Sequence, residues 1–115
     1  MTAIRHLLGE RLAMFVGIDD MVVEGIAAGA TGWIAGLVNG FPAESVRLFE
    51  LARAGRHEEA DELYRWFLPL LRLDAGPDFV HLVKLAQARA GWGDARARIL
   101  AIVDACMQVR PAIAR

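Results

Sequence analysis

Between Gly29 and Pro42 the chain reads GATGWIAGLVNGFP, an apolar run without charge, spaced by Gly29, Gly32, Gly36 and Gly40. Such a run fits a membrane helix packed through its glycines, a phosphate-cradling loop, or a strand in a buried sheet. No Gly-Lys-Ser/Thr follows it, so it is not a P-loop. A spanning helix needs about 20 mostly apolar residues. The uncharged stretch between Glu24 and Glu44 approaches that length, but Asn39, Pro42 and several glycines interrupt it. A small membrane protein packing through Gly32, Gly36 and Gly40 is therefore the weaker alternative to a strand.

The flanks favour the strand. "IRHLLGER" reads as the last turn of a helix ending at Gly9. "LAMFVG", Leu12 to Gly17, is short enough for a buried strand. "DDMVVEGIAAGA" reads as a short helix, with Asp19 or Asp20 available to cap its free N–H groups and Gly29 to end it. "TGWIAGLV" is then a second buried strand. Strand, helix and strand with short connections is the βαβ pattern of a parallel sheet covered on both faces.

After Asn39 the pattern becomes helical. Pro42 opens "FPAESVRLFELARAG" and Gly55 closes it, with Val46, Phe49 and either Leu48 or Leu51 on its apolar face. "RHEEADELYRWFLPLLRL" places Ala60, Leu63, Tyr64, Phe67 and Leu71 on one side, and Pro69 should kink or end it. "PDFVHLVKLAQARAG" runs from Pro77 to Gly91. "DARARILAIVDACMQVRP" sets Ile99, Ile102, Val103 and Cys106 at helical spacing, capped by Asp94 and stopped by Pro111.

Two strands cannot cover both faces of their own sheet, and they leave both edges open. Hydrophobic residues already make up 56% of the 115 residues before the 11 glycines are counted. An ordinary domain is about 45–50% apolar with glycine included. The surplus implies a membrane, an oligomer or a larger core. The expected fold class is α/β with a mostly helical residue count: the tail of a parallel α/β protein.

At this point the residues resemble a family. Gly17, Asp19, Asp20, Gly29, Ala30, Gly32, Ile34 and Asn39 fall, without a gap, on the strand, Gly-x-Asp-[Asp/Glu], helix, Gly-Ala-x-Gly-x-Ile, Asn pattern. That pattern is similar to the last two strands of the dihydrodipicolinate synthase and N-acetylneuraminate lyase family. "ARAGRHEEADELYRWFLPLL" resembles the family's helix hairpin, and "PDFVHLVKLAQARAGWG" carries Lys84 where the family has a lysine in a C-terminal helix. The resemblance departs after Gly93, where the family's arginine–proline-rich segment is missing.

The resemblance implies a C-terminal fragment of a (β/α)8 TIM barrel, holding its last two strands, followed by a C-terminal helical layer. Residues 1–41 would be the last βαβ portion. Residues 42–115 would be the final barrel helix and the helical extension. A full barrel runs to about 250 residues, so six strands would lie upstream. The resemblance further implies a class I lyase or aldolase acting on a 2-oxo acid such as pyruvate. "GWIAGLVNGFPAES" resembles the branch near the hydroxyproline-pathway deaminases, which act on a pyrroline hydroxycarboxylate. The Schiff-base lysine and the proton-shuttling tyrosine of the family would precede residue 1, so no catalytic residue is assigned here and the chain alone should be inactive. Lys84, mid-helix, is read as a snorkelling surface or interface lysine.

By the same resemblance five positions contact substrate. Gly17 lets backbone approach it, Asp19 and Asp20 meet its distal hydroxyls, and Ile34 offers a carbonyl near the lysine. Gly36 stands where some relatives carry a substrate-binding serine, which speaks against a sialic-acid-like substrate. Capping competes with substrate contact for one of the two aspartates.

The rest bounds the function. No cofactor is implied. His6, His57 and His81 have no metal-ligand spacing and Cys106 is the single cysteine, so no metal site is expected. Cys106 reads as a small buried hydrophobe. A net charge of −1 gives no footprint for nucleic acid. No signal peptide is visible in "MTAIRHLLGER", so a cytoplasmic chain without membrane partners is expected. It would form a homo-oligomer or join a missing barrel portion. Trp33 is placed to line a pocket or the barrel wall, and Trp66 and Trp92 to pack among helices. A non-catalytic helical self-association module is the rival reading.

Overall fold

The computed structural model describes residues 1–92. Seven elements follow in order: α1 (Thr2–Leu8), β1 (Phe15–Val16), α2 (Val22–Ala27), β2 (Gly32–Trp33), α3 (Pro42–Arg53), α4 (His57–Leu71) and α5 (Phe79–Arg89). Short 3-10 turns at Gly9–Arg11, Asp19–Met21, Leu37–Asn39 and Arg72–Ala75 join them. The described chain is mostly helical, with one two-stranded sheet. The helix expected from Asp94 to Pro111, and Cys106 within it, lie outside the described residues.

β1 and β2 pair in parallel, Phe15 with Gly32 and Val16 with Trp33. The Thr31 N–H donates to the Met14 carbonyl at 2.8 Å and the Ile34 N–H to the Val16 carbonyl at 2.9 Å, extending the ladder on both sides. Helix α2 supplies the crossover, as the βαβ reading requires. Gly29 follows α2 with φ of 94°, a conformation that only glycine adopts without strain.

Both strands are shorter than expected and neither is buried on both faces. Met14 and Val16 are buried, but Phe15 between them is 53% exposed. Beyond Trp33 the expected strand gives way to the 3-10 turn at Leu37–Asn39, because the side chain of Asp19 captures two backbone N–H groups there. The glycines of the opening run therefore lie on a turn, a strand and a second turn, and share no helix face. Among the described residues no helix is long and apolar enough to cross a membrane.

The helical punctuation follows the sequence. Pro42 occupies the first turn of α3, and Gly55 and Gly91 take φ of 69° and 84° just past α3 and α5. The core-facing side of α3 differs from expectation. Ser45, Leu48 and Leu51 are buried while Val46 is exposed. Ser45 is admitted because its hydroxyl donates to the Phe41 carbonyl at 2.8 Å. On α4, Ala60, Phe67 and Leu71 are buried as the spacing predicts. Pro69 does not end the helix, which runs two residues further and tightens into the turn at Arg72–Ala75.

One core joins the two halves: Val22 and Leu37 from the βαβ part meet Leu48, Phe67, Leu71 and Ala86 from the helices. Phe41 meets Phe67 edge-on, with centroids 5.8 Å apart at 73°. Trp66 and Trp92 do not pack as expected. Trp66 stacks on Phe67 at 5.4 Å but stays 56% exposed, and Trp92 is 58% exposed.

Candidate functional site

In a parallel sheet the loops after the strands' C-terminal ends gather on one side, where ligands bind in α/β folds. Here those loops are Gly17–Met21 after β1 and Ile34–Asn39 after β2. The turn at Arg72–Ala75 packs against the first of them. All five residues singled out for substrate contact lie on these two loops, and the fold brings Asp19 and Gly36 into direct contact.

Asp19 is fully buried. Its Oδ1 accepts from the Trp33 indole N–H at 3.0 Å and the Gly36 N–H at 3.2 Å, and its Oδ2 accepts from the Leu37 N–H at 2.8 Å. It does not cap the helix that follows it. Neither the 3-10 turn at Asp19–Met21 nor α2 has a side-chain cap, so the capping expectation is corrected: the carboxylate turns across the sheet and caps the turn after β2. Burial pushes its carboxyl above the ordinary carboxylate value. The Leu37 N–H opposes that shift, the charge of Asp74 adds to it, and the Trp33 and Gly36 donors oppose it.

Asp20 is partly buried and makes two links to the helical layer. Its backbone carbonyl accepts a hydrogen bond from the Tyr64 hydroxyl. Its Oδ2 stands 4.0 Å from Arg72 Nε. The Tyr64 hydroxyl also lies 3.1 Å from Glu24 Oε2. Burial first, then the charge and hydrogen bonding of Glu24 and the charge of Asp20, push the Tyr64 phenol up to about 12, with Arg72 pulling the other way.

The remaining positions are more open. A Cβ on Gly17 would meet nothing within 4 Å, so no contact in the described chain demands glycine there. Gly17 instead borders an apolar groove of about 360 Å³ with Val16, Ile18, Met21 and Gly25. Ile34 is 69% exposed, and its amide belongs to the ladder. A Cβ on Gly36 would sit 2.7 Å from Asp74 Oδ1. Lys84 is exposed on α5, as are His6, His57 and His81 on their elements. Among the described residues no group of His, Cys, Asp or Glu could hold a metal ion.

Sequence reasoning did not single out Tyr64, Arg72 or Asp74 as neighbours of the junction. Tyr64 is the only tyrosine and falls on the apolar side of α4, which marks it as packed. Only the fold directs its hydroxyl to Asp20, 44 positions away.

Comparison with known proteins gives a consistent picture. A family model described as "Dihydrodipicolinate synthetase family" matches residues 1–109. A 4-hydroxy-tetrahydrodipicolinate synthase of Teredinibacter turnerae (strain ATCC 39867 / T7901) is 40% identical over 86 residues, covering 72% of this chain and 28% of that protein. A protein of Coccidioides immitis (strain RS), named as a mitochondrial 4-hydroxy-2-oxoglutarate aldolase, is 36% identical over 53 residues, covering 46% of this chain and 17% of its own length. The chain thus spans less than a third of either curated relative. No solved structure matches it.

Proposed function

The chain belongs to the dihydrodipicolinate synthetase family, and on that premise we propose that it is the C-terminal part of a (β/α)8 lyase or aldolase working through a Schiff base. The observation that carries this reading is the family match over residues 1–109 on a chain whose two strands pair in parallel through a helical crossover. Residues 1–41 are the last βαβ portion of the barrel. Residues 42–115 are its final helix and the helical extension. The substrate is a 2-oxo acid such as pyruvate or, in the finer reading, a pyrroline hydroxycarboxylate. The whole assembly is a cytoplasmic oligomer.

In that assembly a lysine amine from the rest of the barrel adds to the keto carbon and water leaves. The resulting iminium accepts the electron pair released when the neighbouring bond breaks. This chain furnishes the rim of the pocket. Gly17 and Ile34 present backbone, and Gly36 leaves room beside Asp74. Asp20, with its carboxylate partly open, meets the substrate's distal hydroxyl. Asp19, enclosed and engaged by three donors, positions the loop after β2 instead of touching substrate. Lys84 lies exposed on the surface of α5 and the imine-forming lysine belongs to the rest of the barrel, so the chain alone is inert.

Co-expression with the remainder of the Teredinibacter turnerae relative, lacking its matched stretch, tests the reading. The chain should co-purify with that remainder. Pyruvate and borohydride should then add a pyruvate-derived mass to the remainder and none to this chain. An adduct on Lys84 would sink the inert-alone claim. A folded, soluble chain that ignores the remainder would sink the barrel reading and favour the self-association module, for which the exposed apolar residues speak.

A further inference from the structure

Two side chains of the helical layer reach back to the loop after β1. Tyr64 projects from the middle of α4 and donates to the Asp20 carbonyl, with Glu24 a second acceptor at its hydroxyl oxygen. The Glu24 carboxylate, 3.1 Å from the same oxygen, comes from α2. Arg72, in the turn after α4, faces the Asp20 carboxylate at 4.0 Å. On the other side of the loop Asp19 is tied to Trp33, Gly36 and Leu37. The loop is therefore held at two consecutive residues from opposite sides. A carbonyl whose partner sits on a packed helix cannot turn, and the side chain of the same residue is aimed with it. The Asp20 side chain is 22% exposed, so its carboxylate keeps a partly open face.

We propose that Tyr64 is a positioning residue: by holding the Asp20 carbonyl it aims the Asp20 carboxylate, faced by Arg72, at a hydroxyl group of the substrate. The substrate half of this statement rests on the proposed function. The clamp itself does not.

Tyr64 is the only tyrosine, so phenolate absorbance during an alkaline titration reports this one group. In the wild-type chain it should titrate near 12. Glu24→Gln keeps an acceptor but removes the charge, and should move the titration down toward the ordinary value of about 10 while amide exchange in the loop stays protected. Tyr64→Phe should speed exchange at the Met21 and Val22 amides about tenfold, the effect of losing one ordinary hydrogen bond from a local opening equilibrium. Exchange in α3 should not change. Unchanged loop exchange, an acceleration shared equally by α3, or a wild-type phenol titrating near its ordinary value would each overturn the clamp. None of these readouts involves substrate. Their failure therefore leaves the enzyme reading standing, and failure of the borohydride trap leaves the clamp standing.

Discussion

Asp19 brings a carboxylate to a place without water, and three donors gathered from β2 and the turn after it offset most of the cost. Replacing it with alanine leaves two backbone N–H groups and an indole N–H without their acceptor. An unsatisfied buried donor costs about 1–3 kcal/mol, and the three are coupled, so Asp19→Ala should lose about 3 kcal/mol of stability, read as a lowered urea midpoint at unchanged slope. Burial also sets the pH dependence. Because the folded carboxyl titrates above its ordinary value, the native state holds this proton more tightly than the unfolded chain does. The contribution is therefore fully present below the ordinary carboxylate value and is lost as pH rises through the folded one. Stability measured against pH, wild type minus Asp19→Asn, should fall over that window. A difference that rises there would contradict the assignment of burial as the dominant cause. Sequence marked Asp19 as special through its Gly-x-Asp-Asp setting. It did not reveal whether the carboxylate serves its own helix, a substrate or a neighbouring turn, because all three uses need the same residue in the same loop.

Elements differ in how local their causes are. The ends of α2, α3 and α5 were legible because Pro42, Gly29, Gly55 and Gly91 act through their own φ angles. Strand length was not legible: the turn at Leu37–Asn39 exists because Asp19, 18 positions earlier, binds the Leu37 N–H. The buried side of α3 was misread because Ser45 satisfies its hydroxyl on the carbonyl of Phe41, the residue just before α3, and so enters the core in place of Val46. Packing between elements gives a paired prediction. A Cβ on Gly40 would sit 3.2 Å from the Gln87 nitrogen and 3.3 Å from its Cα. That is helix backbone and cannot step aside, so Gly40→Ala should cost about 1–3 kcal/mol as overpacking. A Cβ on Gly36 is crowded only by the tip of Asp74, a partly exposed side chain, and lies at ordinary contact distance, 3.6 Å, from Asp19 Oδ2, so Gly36→Ala should cost less than about 1 kcal/mol. Backbone angles at both glycines are ordinary right-handed ones, so thermal midpoints of the two variants compare packing alone. Equal losses would mean that α5 does not press on the turn as described.

For the molecule as a whole, the telling feature is apolar surface left uncovered. Leu7, Ile34, Ile18 and Phe15, on and around the sheet, are 78%, 69%, 55% and 53% exposed. Exposed apolar groups on that scale mark a surface that something covers. Light scattering of the isolated chain should show mass rising with concentration, and a clean monomer across the range would contradict this. Composition had already indicated the surplus, since 56% apolar residues exceed what a small domain can bury. The order of the described elements, the ends of α2, α3 and α5, the parallel βαβ logic and the family pattern are legible along the chain, because each rests on neighbouring residues: a fixed φ, a missing N–H, a period of apolar side chains. Tertiary structure alone decided where the strands stop, which side of α3 faces inward, and that Asp19 ties the two loops together while Tyr64 and Arg72 hold Asp20. Those outcomes depend on donors and acceptors many positions apart, and their distances exist only once the chain has closed.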